Sequence, residues 1–128
     1  MDDQEREATG LEVRRAVMGD EYVNQSLAAA DDFTRDLQDY LNRNVWGGAW
    51  SRPGLDLKTR SLLTNVLLTA LGKPAELASH TRGALRNGCT PDEIKEAILH
   101  AAVYAGIPAA VEAFRAARPV VQGGEAGT

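Results

Sequence analysis

TPDEIKEAILHAAVY, residues 90–104, is the stretch that decides the fold. Thr90 followed by Glu93 is the capping-box pattern, in which each side chain takes up a first-turn amide that the helix leaves unbonded. Pro91 stands at the first helical position, where its missing N–H costs nothing, and Asp92 and Glu93 meet the positive end of the helix dipole. Ile94, Ala97, Ile98 and Ala101 then recur at i, i+3, i+4 and i+7, which gives one apolar face and predicts a helix to Tyr104.

The same signals extend outward. Upstream, Asp56 caps a helix through Leu71, whose Leu62, Leu63, Val66, Leu67, Ala70 and Leu71 cover most of its circumference and predict the central, buried helix. Gly72 ends it, Pro74 suits the first turn of the next, and that helix runs to Asn87 before Gly88. Downstream, an Ala-rich helix is predicted from Pro108 to Ala117, and PVVQGGEAGT from Pro119 onward loses periodicity and reads as a flexible tail. The N-terminal part predicts helices from Asp2 to Val17, from Glu21 to Ala29 and from Asp32 to Val45. In the last of these, Phe33, Leu37, Tyr40, Leu41 and Val45 form a stripe expected to face the core. Residues 46–54, WGGAWSRPG, hold Gly47-Gly48 and Pro53-Gly54 and read as an ordered loop. Strand signals are missing, so the expected architecture is all-α: one multi-helix bundle over residues 1–118 and a tail over 119–128.

Composition narrows the function. The 128 residues suit one domain, and a net charge of -4 leaves no basic face to neutralise nucleic-acid phosphates. No apolar run is long enough for a membrane span, and the acidic opening MDDQERE is unlike a signal peptide, so a cytoplasmic location is expected. Cys89 stands alone, which leaves no internal disulfide, redox pair or cysteine-based zinc site.

Glu76 and His80, four apart on a predicted helix, share a face, and a carboxylate beside an imidazole prepares it for proton transfer. An ordinary exposed pair has the same spacing. His100, between Glu96 and Tyr104, forms a second polar stripe that is either a wall of the same site or plain surface. Neither HExxH nor paired Glu-x-x-His occurs, so no metal site is assigned. Arg14, Arg15, Arg52 and Arg60 are candidates for gripping a substrate carboxylate, which the guanidinium fork matches in bidentate fashion. Trp46 and Trp50 bracket the glycine pair and suit a pocket wall, a subunit contact or core packing.

The segments GLEVRRAVMGDEYV, WGGAWSRPGLDLKTRSLLT and ELASHTRGALRNGCTPDEIKEAILHAAVYAGIPAA together resemble the carboxymuconolactone decarboxylase family over nearly the whole chain, to about Ala117. The most specific parts are Trp46 to Leu55, Arg60-Ser61, Glu76-x-x-x-His80 and Tyr104-x-Gly106-x-Pro108. The wider alkylhydroperoxidase-D-like superfamily uses a Cys-x-x-Cys pair followed by a histidine. Here Lys73 and Glu76 stand in the cysteine places and His80 in the histidine place, so disulfide chemistry is unavailable. The resemblance implies an all-α homo-oligomer, a trimer of dimers, that decarboxylates 4-carboxymuconolactone to 3-oxoadipate enol-lactone in protocatechuate catabolism through the β-ketoadipate pathway. It gives His100 no catalytic duty, since some relatives are expected to carry glutamine there.

Such a substrate needs no cofactor, because the electrons released with the ring carboxylate spread into its own lactone carbonyl. The protein must supply a donor at that oxygen, a cation for the retained acetate and an acid for the ring carbon. His80 is assigned as general acid or oxyanion donor, Glu76 as its orienting partner, the four arginines as the carboxylate grip, and Trp46, Trp50 and Tyr104 as substrate-binding walls. The alternatives are a related decarboxylase acting on another carboxylated ring and a non-catalytic, oligomeric small-molecule-binding module.

Overall fold

A computed structural model describes residues 2–123, and all of the regular structure in them is helical. Two compact units meet in the chain between Leu55 and Asp56. The first holds α1 (Asp3–Met18), α2 (Asp20–Ala28), α3 (Arg35–Tyr40) and a π-helix (Leu41–Trp50). The second holds α4 (Leu57–Leu71), α5 (Pro74–Arg86), α6 (Pro91–Ala105) and α7 (Ile107–Val121).

In the first unit, the Asp2 carboxylate accepts the Glu5 N–H at 2.8 Å and caps α1. Gly19, at φ +89°, alone separates α1 from α2, a turn that a side chain would strain. The predicted Asp32–Val45 helix followed by a loop is corrected: α3 is short and passes directly into the π-helix, which contains the whole Trp-Gly-Gly-Ala-Trp run. A π-helix closes i→i+5 bonds and so leaves no 3.6-residue pattern to read. The glycines there serve close approach rather than chain breaking. A Cβ on Gly47 would lie 2.3 Å from the Arg6 carbonyl oxygen, and one on Gly10 would lie 1.8 Å from that of Asn42, so α1 and the π-helix pack backbone to backbone. Arg43 is paired with Glu7 across the same contact. The expected core stripe is corrected too: Phe33 is 94% exposed in the turn before α3, Leu37 and Tyr40 are exposed, and the buried residues of the π-helix are Asn42, Trp46, Gly47 and Trp50.

The second unit follows its local signals closely. Asp56 accepts the Thr59 N–H at 2.7 Å at the start of α4, and Gly72 ends that helix in the left-handed conformation. Thr90 and Glu93 make both bonds of the capping box on α6. Leu77, Ala84, Cys89, Ile94, Ile98, Ala102, Ala110, Ala113 and Ala117 form one core, in which the alanines of α7 permit close helix approach.

Two expectations for this unit are overturned. In α4 the buried positions are Ser61, Asn65 and Thr69, whereas Leu63, Leu67 and Leu71 are 48%, 60% and 67% exposed, so the helix presents an apolar stripe to the outside and a polar one inward. Helix α7 continues beyond Ala117 through Pro119 to Val121. Proline in the last turn costs only the bond to the carbonyl four residues back, and Val120 is buried at 5% exposure while Val121 packs against the core. Of the rest of the expected tail, residues 122–123 form a turn and residues 124–128 lie outside the described residues.

Candidate active site

Helix α5 carries the Glu76–His80 pair. The αL turn at Gly72 and Pro74 at the helix start place Glu76 in the first turn, exposed, and His80 one turn later, partly buried. Burial pushes the His80 imidazole down from 6.5 to about 4, against the pull of the Glu76 carboxylate, which favours the charged form. Glu76 therefore acts on His80 in the expected direction, but desolvation wins. The ring is neutral at pH 7, with one N–H to donate and one nitrogen to accept. Such a ring supplies a hydrogen-bond donor to developing negative charge; it does not hold the spare proton of an imidazolium.

The four candidate arginines have different surroundings. In the first unit, Arg14 is 4% exposed, and its Nη1 donates to Gln38 Oε1 at 2.9 Å and to Asn42 Oδ1 at 3.0 Å. Arg15 is engaged at the surface, donating to Asp20 Oδ1 at 3.2 Å and Asn24 Oδ1 at 2.9 Å. Arg52 is exposed just after the π-helix, where its N–H donates to the Ala49 carbonyl. Arg60, in the second unit, lies partly buried in the first turn of α4, and its carbonyl accepts the Thr64 hydroxyl at 2.8 Å. Trp46 and Trp50 are both buried, with ring centroids 4.9 Å apart and planes tilted by 34°. Their i, i+4 spacing in the π-helix stacks the rings.

Tyr104 is 81% exposed near the end of α6, and its ring lies 5.4 Å from that of His100, which is exposed as well. These two form a surface pair. Within the second unit a cavity of about 250 Å³ lies between α6 and α7, lined by Ile94, Ile98, Phe114, Val121 and the cations Lys95 and Arg118, and it includes none of the predicted site residues. Among the described residues no three His, Cys, Asp or Glu side chains gather closely enough to hold a metal ion, and no helix is long and apolar enough to cross a membrane.

Sequence reasoning missed several buried or half-buried polar side chains. Gln38 and Asn42 hold Arg14, while Asn65 on α4 and Thr81 on α5 are both 0% exposed. Neither amide atom of Asn65, nor the Thr81 hydroxyl, has a hydrogen-bond partner among the described residues. A buried, unpaired polar group costs about 1–3 kcal/mol. Ser61, Asn65 and Thr69 at i, i+4 and i+8 were a legible signal of a polar face on α4.

Comparison with known proteins agrees with an all-helical carboxy-lyase. The sequence pattern of the carboxymuconolactone decarboxylase family matches residues 35–119. A 4-carboxymuconolactone decarboxylase of Acinetobacter baylyi is 48% identical over 120 residues, which covers 94% of this chain and 90% of that protein. A nitrosuccinic acid decarboxylase of Metarhizium robertsii is 51% identical over 105 residues, 82% of this chain and 73% of that protein. A 4-carboxymuconolactone decarboxylase of Pseudomonas putida is 38% identical over 47 residues, 37% of this chain.

Proposed function

The chain belongs to the carboxymuconolactone decarboxylase family, and from that premise we propose that it is a carboxy-lyase converting 4-carboxymuconolactone to 3-oxoadipate enol-lactone in protocatechuate catabolism by the β-ketoadipate pathway. The likeness to the Acinetobacter baylyi enzyme along nearly the whole chain carries this reading. In the reaction, the bond between the ring carbon and its carboxylate breaks and carbon dioxide leaves. The electron pair passes through the ring double bond to the lactone carbonyl oxygen, and a proton taken from water then adds to the ring carbon beside that carbonyl, replacing the carbon dioxide lost. The substrate is its own electron sink, so no cofactor is called on.

His80 is the donor to the lactone oxygen. A neutral, desolvated imidazole suits that task, because its N–H bond to a developing oxyanion strengthens as charge arrives and needs no prior protonation. Glu76 orients it, and one of Arg14, Arg15, Arg52 and Arg60 takes the retained acetate. Trp46, Trp50 and Tyr104 are assigned to substrate contact, and of these the two buried tryptophans suit a dry wall better than exposed Tyr104 does.

The nitrosuccinic acid decarboxylase relative favours a second reading. Nitrosuccinic acid also bears its departing carboxyl on a carbon attached to an electron sink, there a nitro group, and also keeps an acetate arm. A site built for the lactone has the parts for that chemistry. Absorbance loss and carbon dioxide release with each compound, without added metal or cofactor, test the two readings. Turnover of 4-carboxymuconolactone supports the first, turnover of nitrosuccinate alone supports the second, and turnover of neither leaves a decarboxylase of another carboxylated ring or the non-catalytic module.

The working form is a homo-oligomer, a trimer of dimers. The outward stripe of Leu63, Leu67 and Leu71 on α4, together with exposed Val103 and Ile107, is apolar surface of the kind that a subunit contact covers. Light scattering on the purified protein is expected to give a mass near six times 13.8 kDa.

A further inference from the structure

The first unit contains a buried cation without an anion. Arg6, Arg15, Arg35 and Arg43 are paired with Asp3, Asp20, Asp32 and Glu7 respectively. Arg14 is more buried than any of them, at 4% exposure, yet no carboxylate is paired with it among the described residues. Its partners are the neutral side-chain oxygens of Gln38 and Asn42, both on Nη1. Taking a charge out of water without a counter-charge is expensive, and proteins seldom retain such a group unless something pairs with it. Burial also presses the Arg14 guanidinium below its usual pKa, partly offset by neighbouring Tyr22.

Geometry narrows what can pair there. The guanidinium is a rigid planar fork, and with Nη1 anchored by two amide oxygens the fork cannot swing. Because Gln38 and Asn42 spend their oxygens on Arg14, their –NH₂ groups remain as further donors, so the cluster is rich in donors and carries a positive charge. Its parts come from α1, α3 and the π-helix, all within one compact unit. That arrangement suits a planar anion with oxygens on one edge.

We propose that Arg14, held by Gln38 and Asn42, is a binding site for a small organic carboxylate. The proposal deepens the decarboxylase reading, on which it rests for one source of the ligand: the acetate arm kept by the substrate. A free dicarboxylate is the other source.

The test is titration calorimetry of the full chain with sodium succinate against sodium chloride at equal ionic strength. The decisive variant is Asn42→Asp, nearly isosteric, which places a carboxylate where Asn42 Oδ1 already meets Arg14 Nη1 at 3.0 Å and so supplies the missing partner internally. Wild type is expected to bind succinate, and N42D to bind it about tenfold more weakly or worse, with a melting temperature at or above wild type. Arg14→Lys, which keeps the charge and removes the fork, is expected to weaken binding as well. No succinate binding by wild type, or wild-type affinity in N42D, overturns the proposal. Where binding is lost in N42D, a raised KM for 4-carboxymuconolactone identifies the substrate as the ligand, and an unchanged KM identifies a separate carboxylate. Binding is read without turnover, so an inactive enzyme that still binds succinate refutes the decarboxylase reading and leaves this site standing.

Discussion

Acid should unfold this protein partly through one histidine. His80 titrates near 6.5 when unfolded and at about 4 in the folded chain, because burial disfavours the imidazolium. Between those values the unfolded chain binds a proton that the folded chain refuses, so stability is at its full level above pH 6.5 and is lost as pH falls toward 4. Linkage puts the loss at about 2 kcal/mol by pH 5 and roughly 3 kcal/mol at and below pH 4. The useful reading is at pH 5, where most carboxylates are still charged and contribute little. Urea unfolding of wild type and His80→Gln at pH 7 and pH 5, at one protein concentration, isolates the effect as a difference of differences. The wild type should lose about 2 kcal/mol more than the variant over that interval. Equal losses in the two proteins would mean that the imidazole is solvated, and the neutral donor assigned to the reaction would go with it.

Gly10→Ala would set a methyl 1.8 Å from the Asn42 carbonyl oxygen, backbone against backbone, and should cost about 3 kcal/mol or more; a melting temperature within experimental error of wild type would show that α1 and the π-helix do not pack as described. Thr90→Ala removes one half of the capping box on α6 and should cost about 0.5–2 kcal/mol in urea unfolding, whereas Thr90→Ser should cost little. Leu67→Glu puts a charge in the middle of the outward stripe of α4, and light scattering should then report a smaller assembly than that of wild type, with helicity by circular dichroism retained.

The second unit was legible wherever a short-range cause decided the structure. Thr90, Pro91 and Glu93 start α6 as read, Gly72 ends α4, and Ile94, Ile98 and Ala101 are buried as their spacing required. The misses share other causes. Leu63, Leu67 and Leu71 have the periodicity of a buried face, but periodicity records only that a face avoids water, not whether its own chain or another copy covers it. The π-helix was hidden because i→i+5 bonding has no hydrophobic period of its own, and because Gly47, required for the approach to Arg6, looked like a breaker. In the site, the Glu76–His80 spacing was readable and the strength of desolvation was not, since burial depends on packing that no local pattern encodes. Arg14 was one candidate among four arginines until its burial and its neutral partners set it apart.

Steady-state turnover of 4-carboxymuconolactone by His80→Ala, beside wild type, bears most directly on the chemistry. If the imidazole N–H carries the charge that builds on the lactone oxygen, kcat should fall by about 10² to 10³ with the helical fold intact. A kcat near that of wild type would contradict the account at its centre.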